Sequence, residues 1–279
     1  MLMFPRFGYS TAAWQPPKPP GRQLERVGTV DVRPVSNLAT KSPARQEADY
    51  AGVPELRASY FEAGAAELLF RNAGGAAFSE RGQGFAVCTR CGFAMSEEQA
   101  ATEKGDGPLP KNFRDHPSIF SSNPASRCWR RDQESVLRHR VLAARETTDV
   151  LILDWPGACG DASLYSLGRA LLLAGAQLLE LDNRELEVDL KMRPDGAPSI
   201  FLYDAAPGGA GHCLELMELG RPWVERAREI LRGSDEHHAR CRRACLDCIL
   251  DFSGQFGAHR LDRLAALELL EAGLDLAAK

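Results

Sequence analysis

The chain has 279 residues, 44% of them apolar and 26% charged, with 34 Lys+Arg against 38 Asp+Glu and eight cysteines. That length and composition describe a globular protein with a real core, in one large domain or two small ones. A formal charge of −4 excludes a strongly basic nucleic-acid binder, so any contact with DNA or RNA has to be local.

The opening segment, MLMFPRFGYSTAAWQPPKPP, has one early Arg and no long apolar stretch, so no signal peptide is expected. No run reaches the roughly 18–20 apolar residues of a membrane span; the longest, Leu171–Leu181, is broken by Gly175 and Gln177. The expected location is cytoplasmic, where thiols stay reduced and clustered cysteines read as metal ligands before disulfides. Residues 1–58 carry Pro5, Pro16, Pro17, Pro19, Pro20, Pro34, Pro43 and Pro54 and read as an extended proline-rich arm. Residues 59–145 read as a β-rich subdomain: Ser59–Val87 places aromatic and branched residues around Asn72-Ala73-Gly74-Gly75 and leads into Cys88-Thr89-Arg90-Cys91-Gly92. Residues 96–125 form a polar Gly/Pro-rich loop that needs an organising centre, and a helix is expected after Cys128.

Residues 146–279 open with the clearest strand, Thr148–Trp155, followed by a helix over Ser163–Leu181 in which Leu164, Leu167, Leu171, Leu172, Leu178 and Leu179 recur at helical spacing. Strands at Leu186–Leu190 and Ser199–Asp204 flank a turn at Arg193-Pro194-Asp195-Gly196. Helices are expected at Ala210–Leu219, Pro222–Leu231 and Leu261–Leu274, with a Cys/His knot before the last. The fold class is therefore α/β in the mixed α+β sense: a mixed sheet flanked by helices, two zinc-clipped loop-rich elements and the N-terminal arm.

Cys88-x-x-Cys91 followed by Gly92 has the form of a zinc knuckle, because two thiolates three apart chelate one tetrahedral ion. Two more ligands are then required, and His116 and Cys128 supply them in C-x2-C-x24-H-x11-C, with His139 as an alternative. A redox pair is the competing reading, but such a pair opens a helix after a strand, and Gly92-Phe93 argues against one. The second cluster runs from His237 to Cys248, with Cys241, Cys245 and Cys248 in C-x3-C-x2-C spacing. Its fourth ligand is taken from His238, His237, Cys213 or His259, with His238 placed first. The expected cofactor is Zn²⁺, two ions per chain.

Arg240, Arg242 and Arg243 make this second cluster a local basic face, suited either to phosphate or to compensating thiolate charge. Tyr203-Asp204-Ala205-Ala206-Pro207-Gly208-Gly209-Ala210-Gly211-His212 is a glycine-rich turn between strand and helix; Gly208, Gly209 and Gly211 would aim backbone N–H groups at a phosphate, or else serve tight packing. There is no Walker A sequence, hence no ATPase P-loop, and no catalytic residue is assigned. Asp189-Leu190-Lys191 with Asp154 or Asp182 upstream has the acidic-x-Lys form of a metal-dependent nuclease, against the alternative of a solvated strand face.

Taken together these segments resemble the MrfA-type zinc-binding (MZB) region at the C-terminus of many DEAD/DEAH-box helicases, also present in the DrmB subunit of the DISARM phage-defence system. The matching pieces, in order, are Phe85–Gly92, His116 to Cys128, Thr148–Leu151, Tyr203-Asp204-x-x-Pro207-Gly208-Gly209-Ala210-Gly211, Ala244–Cys248 and His259–Arg263. One position departs: the family's second cluster looks like C-x-C, a gap, then C-x-x-C, and Ala239 stands where its first cysteine would be. The resemblance implies a non-catalytic accessory subunit, or C-terminal part, of a superfamily 2 DNA helicase system in anti-phage defence or DNA repair. Its implied partners are a DEAD/DEAH-box-like helicase and DNA, with no membrane and no small-molecule substrate. The alternatives are the metal-dependent nuclease and a pure scaffold whose arm wraps a partner.

Overall fold

The structure, a computed structural model, describes residues 2–3, 30–34, 41–72, 83–90, 92–97, 136–157, 159–193, 195–251 and 253–277. In chain order the elements are β1 (Leu2–Met3), β2 (Val30–Pro34), β3 (Arg45–Glu47), β4 (Arg57–Phe61), β5 (Glu67–Asn72), β6 (Phe85–Cys88), β7 (Ala94–Ser96), β8 (Val136–Thr147), β9 (Val150–Asp154), α1 (Asp161–Leu178), β10 (Leu186–Met192), β11 (Pro198–Asp204), α2 (His212–Leu219), α3 (Arg221–Arg232), α4 (Asp235–Arg240) and α5 (Arg263–Ala277), with 3-10 segments at Tyr50–Gly52 and Ser253–Arg260.

Two compact units arise, neither contiguous in sequence: Met1–Arg33 with Leu69–Arg145, and Pro34–Leu68 with Glu146–Lys279. The division differs from the blocks read at 1–58, 59–145 and 146–279. Within the stretch read as an arm, β3 pairs with β4, and β4 in turn pairs with β9, which draws Pro34–Leu68 into the second unit.

In the first unit, the six-stranded sheet runs β2-β5-β8-β6-β7 with β1 on β8. It is mixed, since β1 lies parallel to β8 while β6 is antiparallel to both β7 and β8. The helix expected after Cys128 is replaced, over the described part, by the 12-residue strand β8. Pairing with β6 decides this, as tertiary partners commonly override local helix preference. His139 sits in that strand at φ 53; its N–H donates to Glu97 Oε1 at 2.7 Å and its Nδ1 lies 3.1 Å from the Gln83 carbonyl. Burial opposes the charge of Glu97, yet Arg138 and the His139 N–H hold its carboxyl below the usual range.

The second unit carries a five-stranded sheet, β10-β11-β9-β4-β3, antiparallel at each ladder. The β9–α1–β10 crossover makes β9 and β10 run the same way, but β11 inserts between them and pairs with both. Alternation then does its ordinary work. Leu186, Val188 and Leu190 of β10, Ile200 and Leu202 of β11, Leu151 and Leu153 of β9, and Ala58 and Tyr60 of β4 join one core. α1 lies on that face and is covered in turn by α3 and α5. Its leucines at helical spacing, from Leu164 to Leu173, are buried in this layer. Among the described residues no helix is long and apolar enough to cross a membrane.

Trp223 of α3 anchors the layer: its side chain is fully buried, its Nε1–H donates to the Leu171 carbonyl at 2.7 Å, and its ring meets Tyr50 edge-on at 6.5 Å. Replacing Trp223 with Ala is expected to lower the unfolding free energy by about 3–5 kcal/mol in a denaturant titration, because the cavity left behind and the lost second bond to the Leu171 carbonyl both act against the folded state.

Candidate metal centre

The second cysteine cluster begins where α3 ends. Gly233 caps α3 at φ 62, and Ser234 then caps α4, its hydroxyl accepting from the His237 N–H at 3.2 Å. Along α4, His237 and Cys241 stand four apart and so share one face. The chain then turns through Cys245-Leu246-Asp247-Cys248, where the Cys248 N–H donates to the Cys245 carbonyl at 3.1 Å and the Cys245 N–H points at Cys248 Sγ at 3.2 Å.

These two elements bring together His237, Cys241, Cys245 and Cys248, whose ligand atoms all lie within 4.8 Å of one another. Cys241 Sγ is 3.9 Å and Cys245 Sγ 3.8 Å from Cys248 Sγ, while His237 Nε2 is 3.2 Å from Cys245 Sγ. A tetrahedral zinc with Zn–S near 2.3 Å and Zn–N near 2.0 Å needs sulfur–sulfur edges of about 3.8 Å and nitrogen–sulfur edges of about 3.5 Å. The residues present therefore fit the ion. His237, Cys241 and Cys248 are buried and Cys245 partly so, as befits a closed structural site without an open catalytic position. Burial pushes the Cys248 thiol up to about 11, with the backbone N–H groups of Cys245 and Ile249 pulling back and the other thiols adding to the rise. Zinc binding at neutral pH must therefore expel protons from the cluster.

The histidine grouped with the three cysteines in this candidate site is His237, whereas the sequence reading placed His238 first. Spacing alone leaves both within reach of Cys241; the surroundings decide. Gly233 packs directly on the His237 ring, where a Cβ would collide with Nδ1, so the glycine makes the space the imidazole occupies. His238 turns the other way, its Nδ1 accepting from Arg263 Nη2 at 3.4 Å. Cys213 lies in the core beside Asp204, and the exposed His259 contributes its carbonyl to Arg243; neither joins the cluster.

For the first cluster the structure places Cys88, buried against Ala86, Phe93, Met95 and Val136, with its carbonyl accepting from the Gly92 N–H at 2.8 Å. Cys91, His116 and Cys128 lie outside the described residues. One candidate zinc site, rather than two, is thus assembled among the described residues.

The glycine-rich turn is not a phosphate cradle, which corrects the reading of Gly208, Gly209 and Gly211. Its donors are already taken by the chain itself. Asp204 Oδ2 accepts from the N–H groups of Ala210 at 2.7 Å and His212 at 3.1 Å, and Oδ1 accepts from Cys213 at 3.0 Å. Asp149 Oδ2 accepts from Gly211 at 3.0 Å, and Oδ1 from the Tyr60 hydroxyl at 3.0 Å and the Ala63 N–H at 2.9 Å. Gly208 and Gly209 donate to the carbonyls of Thr147 and Ala206. Two buried carboxylates hold the helix start where an external anion was expected. Gly209, at φ 77, is needed because a Cβ there would strike the Asp149 carboxylate.

Of the three arginines, Arg243 is committed internally, donating to the carbonyls of His259 at 3.1 Å and Leu261 at 3.3 Å. Arg240 forms an exposed pair with Glu236 at 3.4 Å, and Arg242 is exposed beside the cluster. The acidic-x-Lys residues Asp189 and Lys191 stand two apart on β10 and so share one of its faces. Asp154 accepts from Ser199, Asp189 lies 3.4 Å from Arg260, and the register places Asp189 opposite Phe201 while Lys191 faces Ser199. Burial lowers the pKa of Lys191 while Asp154 opposes the fall. Asp182 pairs with Arg184 in an exposed loop.

Residues 167–249 match the MrfA Zn-binding domain, a segment that ends one residue beyond Cys248. That stretch of the chain is similar to the MZB domain. The Druantia protein DruE of Escherichia coli (strain UMEA 4076-1) is 25% identical over 206 residues, which are 68% of this chain and 11% of DruE. A crystal structure of the DUF1998 helicase MrfA bound to DNA aligns at 13% identity and a TM-score of 0.44, over 88% of this chain and 25% of that one. A second, of MrfA bound to DNA and AMPPNP, aligns at 15% identity and a TM-score of 0.30, over 48% and 24%. The chain thus spans a small part of the length of the proteins it matches. Within residues 167–249, sequence reasoning missed Gly233 as the residue that leaves room for the His237 ring, and it missed Asp204 as the acceptor for the N–H groups of Ala210, His212 and Cys213.

Metal analysis of purified variants checks the ligand set: His237→Ala is expected to lose the zinc of this site, whereas His238→Ala retains it. Asp204→Ala should cost about 3 kcal/mol of stability in chemical denaturation, since three backbone donors lose a charged acceptor together.

Proposed function

We propose that this chain is a non-catalytic, zinc-stabilised module that works with a superfamily 2 helicase motor on DNA, in anti-phage defence or DNA repair. The single observation that carries the reading is the coincidence of the MZB match with an assembled His/Cys₃ site: His237, Cys241, Cys245 and Cys248 all fall inside residues 167–249. Likeness to DruE, of which the chain covers 11%, supports a role as one part of a larger machine. In this reading ATP hydrolysis belongs to another polypeptide or segment, in keeping with the lack of a Walker A sequence. Zinc supplies structure here: it ties α4 to the Cys245–Cys248 turn and, through it, to the start of α5.

Nucleic-acid contact, in this reading, falls to Arg240 and Arg242 at the exposed side of the cluster. Two side chains make a modest electrostatic term, so affinity rests on the helicase partner and this module steers or grips locally. Fluorescence anisotropy with labelled single- and double-stranded DNA tests the assignment. Arg240→Ala/Arg242→Ala, with zinc content unchanged, is expected to weaken binding roughly uniformly across sequences and to lower the salt slope by up to about 2. Parent-like binding by that variant refutes the site. DNA cleavage by the purified chain with Mg²⁺ or Mn²⁺, abolished by Lys191→Ala, refutes the non-catalytic reading.

A further inference from the structure

Arg263 opens α5, beyond the segment that matches the MZB domain. Its side chain is completely buried. The other fully buried arginine among the described residues of this unit, Arg169, pairs with the Asp251 carboxylate. Arg263 meets no carboxylate among the described residues. Its Nε and Nη2 donate to the Cys241 carbonyl at 2.9 and 2.6 Å, its Nη1 donates to the Leu231 carbonyl at 2.6 Å, and its Nη2 lies 3.4 Å from His238 Nδ1. Its own N–H donates to the Arg243 carbonyl at 2.7 Å.

A guanidinium keeps its proton in any protein environment, so this is a permanent buried positive charge. Carbonyl dipoles at the end of α3 offset part of it, but neutral acceptors leave net charge in a low-dielectric site, which is strongly unfavourable unless an anion lies near. The cluster beside it supplies that anion once loaded: Zn²⁺ with three thiolates and a neutral imidazole carries a net charge of −1. Cys241, whose carbonyl takes two of the guanidinium's bonds, is itself one of the ligands.

We propose that Arg263 is the counter-charge and positioning residue of the His237/Cys241/Cys245/Cys248 centre, holding Cys241 through its carbonyl and neutralising the zinc–tris(thiolate) anion. The inference rests on zinc occupying that site. It separates a charge role from a purely mechanical tie, because only the charge role makes the sign of residue 263 matter to the metal.

The test uses the full chain with Arg263→Lys, which keeps the charge and loses the fork, and Arg263→Gln, which keeps amide donors and loses the charge. Arg263→Met serves as a second neutral variant, since apolar replacement of a buried charge commonly folds. Zinc affinity is read by competition with a chromophoric chelator, and Co²⁺ substitution reports by its visible spectrum whether a tetrahedral Cys₃His set persists. Partners of this kind typically alter metal affinity by 10–100-fold. The expected result is a loss of about 30-fold in Gln and Met and less than about 5-fold in Lys, with the tetrahedral Co²⁺ spectrum retained in all three. Equal weakening by Lys, Gln and Met, or none, overturns the counter-charge assignment alone. A parent protein that binds no metal at this cluster overturns the centre itself.

Discussion

Three thiols and an imidazole within 4.8 Å of one another, mostly shielded from water, are a demanding arrangement for a chain to hold. Left as they are, the sulfurs are poor hydrogen-bond partners. The surrounding geometry suits a cation at their centre. Gly233 opens room for the ring, Ser234 fixes the first turn of α4, and the Arg243 and Arg263 side chains tie the loop to His259, Leu261 and Leu231. The region from α3 to α5 is short of regular structure and long on such local bonds, so its shape depends on the one site at which they converge.

At the other end of the sheet the same problem is solved without a metal. The turn after β11 must present several backbone N–H groups in one direction in order to start α2, and Asp149 and Asp204 absorb them. The glycine pattern is genuine, but the anion it serves is covalently part of the protein. Cys213, packed against Asp204 and fully buried, has its thiol pushed far up by burial and then by that carboxylate, which keeps it a neutral core residue despite its place among eight cysteines.

Much of the second unit was legible because its signals are periodic: the leucines of α1, the apolar alternation of β10 and β11, and the clear run of β9 each specify one element and one buried face. Less readable were features fixed by distant partners. Nothing local in Val136–Thr147 makes a strand, since its identity comes from β6; and β3 hides in a proline-rich stretch because its partner is β4. The three cysteines of the site were readable from spacing, whereas the histidine was not. His237 and His238 are adjacent on a six-residue helix, and the choice is made by a glycine behind one ring and an arginine beside the other.

The interleaving of the two units also sets a schedule for synthesis. β4 must pair with β9, yet roughly ninety residues, the bulk of the other unit, are made between them. At typical elongation rates that interval lasts on the order of 5–20 s, during which the β3–β4 hairpin has an open edge and an apolar face with nothing to cover it. Only after β9, α1 and β11 emerge does the five-stranded sheet close. The nascent chain is therefore most exposed to chaperones and to mispairing in the middle of its own translation, well before His237, Cys241, Cys245 and Cys248 have left the ribosome.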